Sequence, residues 1–100
     1  MEPYDISVKA LEDLSNIWEY TVENWSEKQA DKYYSTLIDS FNDIVKAPYT
    51  TGQSYDFILN GLRGLYVESH VVFFMIQENY RVLIVRILHK SMDYVRHFNH

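Results

Sequence analysis

Tyr4, Ile6 and Val8 alternate with Asp5 and Ser7, the period of two expected of a half-buried strand, and Pro3 ahead of them marks a strand start or an edge. From about Val8 the period lengthens. Leu11, Leu14, Ile17, Trp18, Val22 and Trp25 fall on one helical stripe, while Glu12, Asp13, Asn16, Glu19 and Glu23 lie off it. Ser26-Glu27-Lys28-Gln29 has the layout of a capping box, in which the Ser hydroxyl accepts from an orphan backbone N–H and the Gln reaches back. A second helix starts there. Its apolar positions Ala30, Tyr33, Leu37, Ile38, Phe41, Ile44 and Val45 recur at spacings of three and four, and Pro48 stops it. The first half is therefore a strand followed by a helical hairpin, which the short connection makes antiparallel.

Residues 48–61 carry Thr50, Thr51, Gly52, Ser54, Asp56 and Asn60 with no clean period, as a loop does. Three strand-like runs follow, 62–68, 70–77 and 80–88. Glu78-Asn79 separates the last two, and Asn tolerates the positive φ that a tight hairpin requires. The order is a meander. In 89–98 Lys90, Met92, Asp93, Val95, Arg96 and Phe98 mix charged with apolar, which suits a short closing helix. The predicted class is α+β: an N-terminal strand, an antiparallel helical hairpin, a three-stranded antiparallel meander and a short C-terminal helix.

Val71 to Ile76 is apolar without a break, and Val82 to Leu88 is broken only by Arg86. Side chains alternate across a sheet, so such runs put large residues on both faces and both faces need cover. One helical hairpin covers one face. The other falls to the loop 48–61, to the closing helix, or to a partner contributing an amphipathic helix or an added strand.

A chain of 100 residues is expected to form one domain, since a core of this size leaves no room for a second. With no Cys, disulfides, thiolate metal sites and a Cys nucleophile are excluded. The start of the chain has no basic-then-apolar layout and no apolar run reaches the roughly 20 residues a bilayer demands, so a soluble, cytoplasmic protein without membrane contact is expected. The net charge is −5 and unevenly spread: residues 1–60 hold four Lys and eleven acids, residues 61–100 four Arg, one Lys and three acids. An acidic chain neutralises phosphates poorly, so direct DNA binding by this chain alone is not expected.

Ala10-Leu11-Glu12-Asp13-Leu14, Ile17-Trp18-Glu19-Tyr20-Thr21, Trp25, Gln29-Ala30 and Tyr33 resemble the first helices of ParE-type toxins of the RelE/ParE toxin–antitoxin superfamily. Gly61-Leu62-Arg63, His70 to Phe74, and Ile84 to Asp93 look like the C-terminal signature of the same family, and the resemblance spans Tyr4 to Phe98. It implies a helical hairpin packed on an antiparallel sheet. It also implies the toxin component of a type II system, inhibition of DNA gyrase by binding, and neutralisation by a cognate antitoxin that winds an extended segment around the toxin.

The rival chemistry within that superfamily is a RelE-like, ribosome-dependent mRNA endonuclease. Cleavage through the 2′-hydroxyl requires a base, an acid and cations on the phosphate, which directs attention to Arg63, Arg81, Arg86, His89, Arg96 and His97. As a catalytic set, Arg63, Arg86, His89 and Arg96 are the candidates. Arg81 and Arg86 differ by an odd number, so a regular strand turns them to opposite faces unless a bulge intervenes. His89 at a strand exit suits a backbone-bonded cap as well as a general base. Four His without a paired spacing on one element give no metal site, the spacing of His97 and His100 near the tail being the nearest approach, and no cofactor is expected. For partner contact the candidates are Trp18, Trp25, Tyr34, Arg63, Phe73, Phe74 and Arg86. The two Arg in apolar strands need an anion, either a partner's carboxylate or an internal Glu68 or Glu78.

Overall fold

The computed structural model describes residues 2–98. Chain order is β1 (Tyr4–Ile6), α1 (Val8–Asn24), α2 (Glu27–Lys46), β2 (Gln53–Ser54), β3 (Arg63–Val67), β4 (His70–Ile76), β5 (Val82–His89) and a closing 3-10 turn (Tyr94–His97). The strands form one sheet in the order β1-β5-β4-β3-β2, with β1 parallel to β5 and the others antiparallel. The α+β class, the hairpin of helices and the meander are as the sequence predicts. The short closing helix is of the 3-10 type, and the loop 48–61 contains the two-residue edge strand β2.

Both helices start on a serine. Ser7 Oγ accepts from the Ala10 N–H at 3.0 Å, and Ser26 Oγ accepts from the Gln29 N–H at 3.0 Å, satisfying one orphan donor at each N-terminus. On α1 the buried stripe is Ala10 and Leu14, so Leu11, a half-exposed residue, lies off it. On α2 the stripe is Ala30, Leu37, Phe41 and Ile44, with Ser40 beside it returning its hydroxyl to the Leu37 carbonyl at 2.6 Å. Ala10, Leu14, Leu37, Phe41 and Ile44 meet Tyr4, Val72, Phe74, Val82, Ile84 and Ile87 to form the larger core.

The other sheet face is closed by the chain itself. Val71, Phe73 and Leu88 pack under Tyr55 and Leu62, with Ile58, Tyr94 and Phe98 around them. The loop holds its shape through its own backbone: the Tyr55 N–H donates to the Leu62 carbonyl at 2.8 Å, and Asp56 Oδ1 accepts from the Gly61 N–H at 2.8 Å. That second bond holds the Asp56 carboxyl below its usual pKa range. Gly52, at φ +70°, permits the approach of this loop to β3, because a Cβ there would overlap the Gly64 carbonyl. Phe73 and Phe74 are both 0% exposed. The expectation that these two rings are presented to a partner is therefore corrected: one lies under the helices, the other under Tyr55 and the closing turn.

Both hairpin turns place a non-glycine residue in left-handed backbone, Glu68 at φ 53° and Tyr80 at φ 66°. Positive φ thus falls on Tyr80 and not on Asn79, whose side chain instead accepts from the Arg81 N–H at 2.9 Å. Among the described residues no helix is long and apolar enough to cross a membrane.

Candidate partner-binding groove

A bulge in β5 decides where the polar residues of the sheet end up. Phe74 pairs with Ile84 but Phe73 pairs with Arg86, so Val85 has no partner in β4 and the register advances by one residue. Ile87 thereby joins the helix-side core, and His89 comes directly opposite His70.

β1 ends at Ile6, and α1 takes over its place along β5. The Ser7 N–H donates to the Ile84 carbonyl at 3.0 Å and Ser7 Oγ donates to the Val85 carbonyl at 2.7 Å. Asp13, one and a half turns into the helix, accepts from the Ile87 N–H at 2.9 Å, and from Arg86 through Nε at 2.9 Å and Nη2 at 3.0 Å. Both side chains of this pair are largely buried, 14% exposed for Arg86 and 12% for Asp13. The paired carboxylate raises the pKa of the guanidinium. Arg81 is held in the same fashion by Asp5 at 2.9 Å near the surface, where the hydrogen bonds from Arg81 and Gln77 lower the Asp5 pKa. The bulge is present, yet it gathers no cationic groove, because each guanidinium is taken by an N-terminal carboxylate.

Arg63 is occupied too: its Nη2 donates to the Thr51 carbonyl at 3.0 Å and to the Gly52 carbonyl at 3.3 Å. The internal partners of Arg63 and Arg86 are thus backbone oxygens and Asp13, rather than Glu68 or Glu78: the Arg86 charge is answered by a carboxylate, whereas Arg63 is positioned by neutral carbonyls that leave its charge in place. Arg63 pairs with Phe74 and His89 with His70, four residues apart along β4, or about 13 Å at strand spacing. Arg96 sits in the closing turn, on another element again. The four candidate catalytic residues are not brought together. Among the described residues no group of three or more His, Asp or Glu could hold a metal ion, and His100 of the His97/His100 spacing lies outside them.

What the fold does gather is a groove of about 780 Å³ between the helices and the β3–β4 turn. Tyr20 and Trp25 of the α1 end, Lys32 and Tyr33 of α2, and Met92 beyond β5 line it, with His70 and His89 at its floor. Trp25 is 75% and Tyr20 64% exposed, so the indole and the phenol of this rim face water. Trp18 is half-buried and ties α1 to α2, its Nε1–H donating to Asp31 Oδ1 at 3.1 Å; Tyr34 is exposed on α2. Of the aromatic candidates, then, Trp25 lines the groove while Trp18 and Tyr34 lie outside it.

The two imidazoles meet edge to face with ring centroids 5.3 Å apart. Tyr33 Oη lies 2.6 Å from His70 Nδ1 and also accepts from the Ser69 N–H at 3.3 Å. Burial, with His89 alongside, pushes the His70 pKa down to about 4, and burial raises that of the Tyr33 phenol. His89 Nδ1 accepts from the Ser91 N–H at 3.1 Å, and Ser91 Oγ lies 2.7 Å away. No sequence reading singles out this pair.

A family model described as the ParE toxin of the type II toxin–antitoxin system parDE matches residues 4–94. This chain belongs to the ParE toxin family. It is 37% identical over 93 residues to Toxin ParE1 of Caulobacter vibrioides, covering 93% of this chain and 94% of that one. It is 31% identical over 90 residues to Toxin ParE1 of Mycobacterium tuberculosis, covering 90% and 91%. Among solved structures, a chain of the chromosomal ParDE system from P. aeruginosa superposes with a TM-score of 0.76 at 20% identity, over 86% of this chain and 92% of that chain. That likeness is one of fold.

Proposed function

We propose that this ParE-family toxin acts in the cytoplasm by binding DNA gyrase, without catalysis, and that a cognate antitoxin neutralises it by occupying the groove between the helices and the β3–β4 turn. The observation that carries the non-catalytic reading is the closure of Arg86 by Asp13, with Arg63, His89 and Arg96 dispersed around it. A ribonuclease needs its base, acid and phosphate-holding cations within hydrogen-bond reach of one scissile phosphate. Family membership across residues 4–94 supports the toxin role and the existence of an antitoxin. The exposed aromatic rim, Tyr20 and Trp25, supports the groove as the antitoxin's seat, since large aromatics anchor interfaces. The acidic charge supports action on a protein target rather than on DNA directly.

The test pairs a gyrase supercoiling and cleavage assay with a ribosome-loaded mRNA cleavage assay, each run with and without the antitoxin encoded beside this toxin. Lost supercoiling with intact message, reversed by antitoxin, is the expected result. Unchanged supercoiling with cut message overturns the gyrase reading.

A further inference from the structure

The floor of the groove has a chemistry of its own. A backbone N–H can only donate, so the Ser91 amide on His89 Nδ1 fixes that nitrogen as an acceptor and leaves the proton of the neutral ring on Nε2. At His70 the phenol of Tyr33 has two acceptors within reach, Nδ1 at 2.6 Å and the Val67 carbonyl at 3.3 Å; its one proton belongs on the shorter contact, which makes Nδ1 the acceptor and again leaves the ring proton on Nε2. Two imidazole N–H groups from facing positions of adjacent strands thus belong to one groove, and the exposed Lys32 ammonium stands on its wall. Among the described residues neither Nε2–H has an acceptor, and such donors beside a cation and an aromatic shelf match a carboxylate on an otherwise apolar segment.

We propose that His70 and His89 form a carboxylate-recognition subsite, in which an Asp or Glu side chain of the antitoxin enters the groove and accepts from the two Nε2–H groups while its apolar neighbours cover Tyr20 and Trp25. This rests on the reading that the groove is the antitoxin's seat. The charged and titratable groups around the pair are Tyr33 and Lys32 from α2, Tyr20 from α1, Glu68 from the β3–β4 turn, and Asp13 from α1, which acts on His70 from outside the groove and whose charge Arg86 neutralises. Glu68 is exposed and bears no hydrogen bond to either ring, so the incoming carboxylate meets Lys32 with no acid clamped to the imidazoles.

The experiment measures binding of the full-length antitoxin encoded beside this toxin by titration calorimetry. His89→Phe keeps a ring and removes the donor, and weakens binding about tenfold or more, as loss of a hydrogen bond to a charged group does. His89→Gln, which restores an N–H near the Nε2 position, stays within about threefold of the wild type. Changing each antitoxin Asp and Glu to its amide identifies one whose loss is not additive with His89→Phe. The Nε2 resonances of both rings, followed by NMR, shift on adding antitoxin, a readout independent of any variant's folding. Wild-type affinity in His89→Phe, or additivity with every antitoxin acid, overturns the subsite and leaves the groove reading standing. Failure of the wild-type pair to bind, or binding that leaves Trp25 fluorescence unchanged, overturns both.

Discussion

Removing the Asp13 carboxylate isolates the contribution of the α1–β5 junction. In Asp13→Ala three donors lose their acceptor: Arg86 Nε, Arg86 Nη2 and the Ile87 N–H. Breaking a buried ion pair from one side costs about 3–5 kcal/mol, because the remaining charge stays in a low dielectric without compensation. At 12–14% exposure some water reaches the site, so the lower end, about 3 kcal/mol, is expected. Against a total of about 5–15 kcal/mol for a domain this size the loss is severe. With urea slopes of about 1–3 kcal/mol per molar, the unfolding midpoint falls by about 1–3 M. The double variant Asp13→Leu/Arg86→Met removes both charges and recovers most of the loss, keeping about 1 kcal/mol for the orphaned Ile87 N–H. Urea unfolding followed by far-UV circular dichroism reads all three proteins. A single variant within 1 kcal/mol of the wild type, or a double variant no better than the single, refutes the argument.

Two further outcomes test other parts of the fold. Gly64→Ala places a Cβ 2.7 Å from Tyr55 Cε2 and 3.0 Å from Val71 Cγ1, so the loop has to lift, and a loss of about 1–3 kcal/mol with faster proteolysis in 48–61 is expected; unchanged stability and proteolysis contradict the plug role of Tyr55. His70 has a folded pKa near 4 against an unfolded value near 6.5, so the unfolded chain binds more protons between these values and stability falls as pH drops through that window. In His70→Gln the decline across pH 6.5 to 4 becomes shallower in urea midpoints taken at each pH; an unaltered slope assigns the effect elsewhere.

Much of the architecture is legible because its signals are local. Helix stripes, the Ser26 cap and the apolar runs of β4 and β5 each occupy a short window, and periodicity reads such windows well. The parallel pairing of β1 with β5 joins residues more than seventy positions apart, and nothing in Tyr4–Ile6 announces it. The same separation hides Asp13 as the partner of Arg86: on the sequence Asp13 is one more acid on the polar side of a helix. The sequence leaves the cover of the second face open among loop, tail and partner; the side chain that settles it, Tyr55, sits in a stretch without a period. The histidine pair is hidden for a different reason. A regular hairpin continuing from the Ile76–Val82 pair sets His70 against Leu88, and only the unpaired Val85 shifts the register to bring His89 across. A bulge is one residue of irregularity, invisible to alternation and decisive for which side chains meet.

The loop that folds back over Phe73 and Leu88 has a consequence for association. Because the chain supplies its own lid on that side, both hydrophobic layers are complete in the solitary molecule, and dissociation of a partner exposes no raw sheet. Encounter then draws on a preorganised surface, with little conformational entropy lost on this side of the complex, so ordering penalties fall on whichever segment arrives.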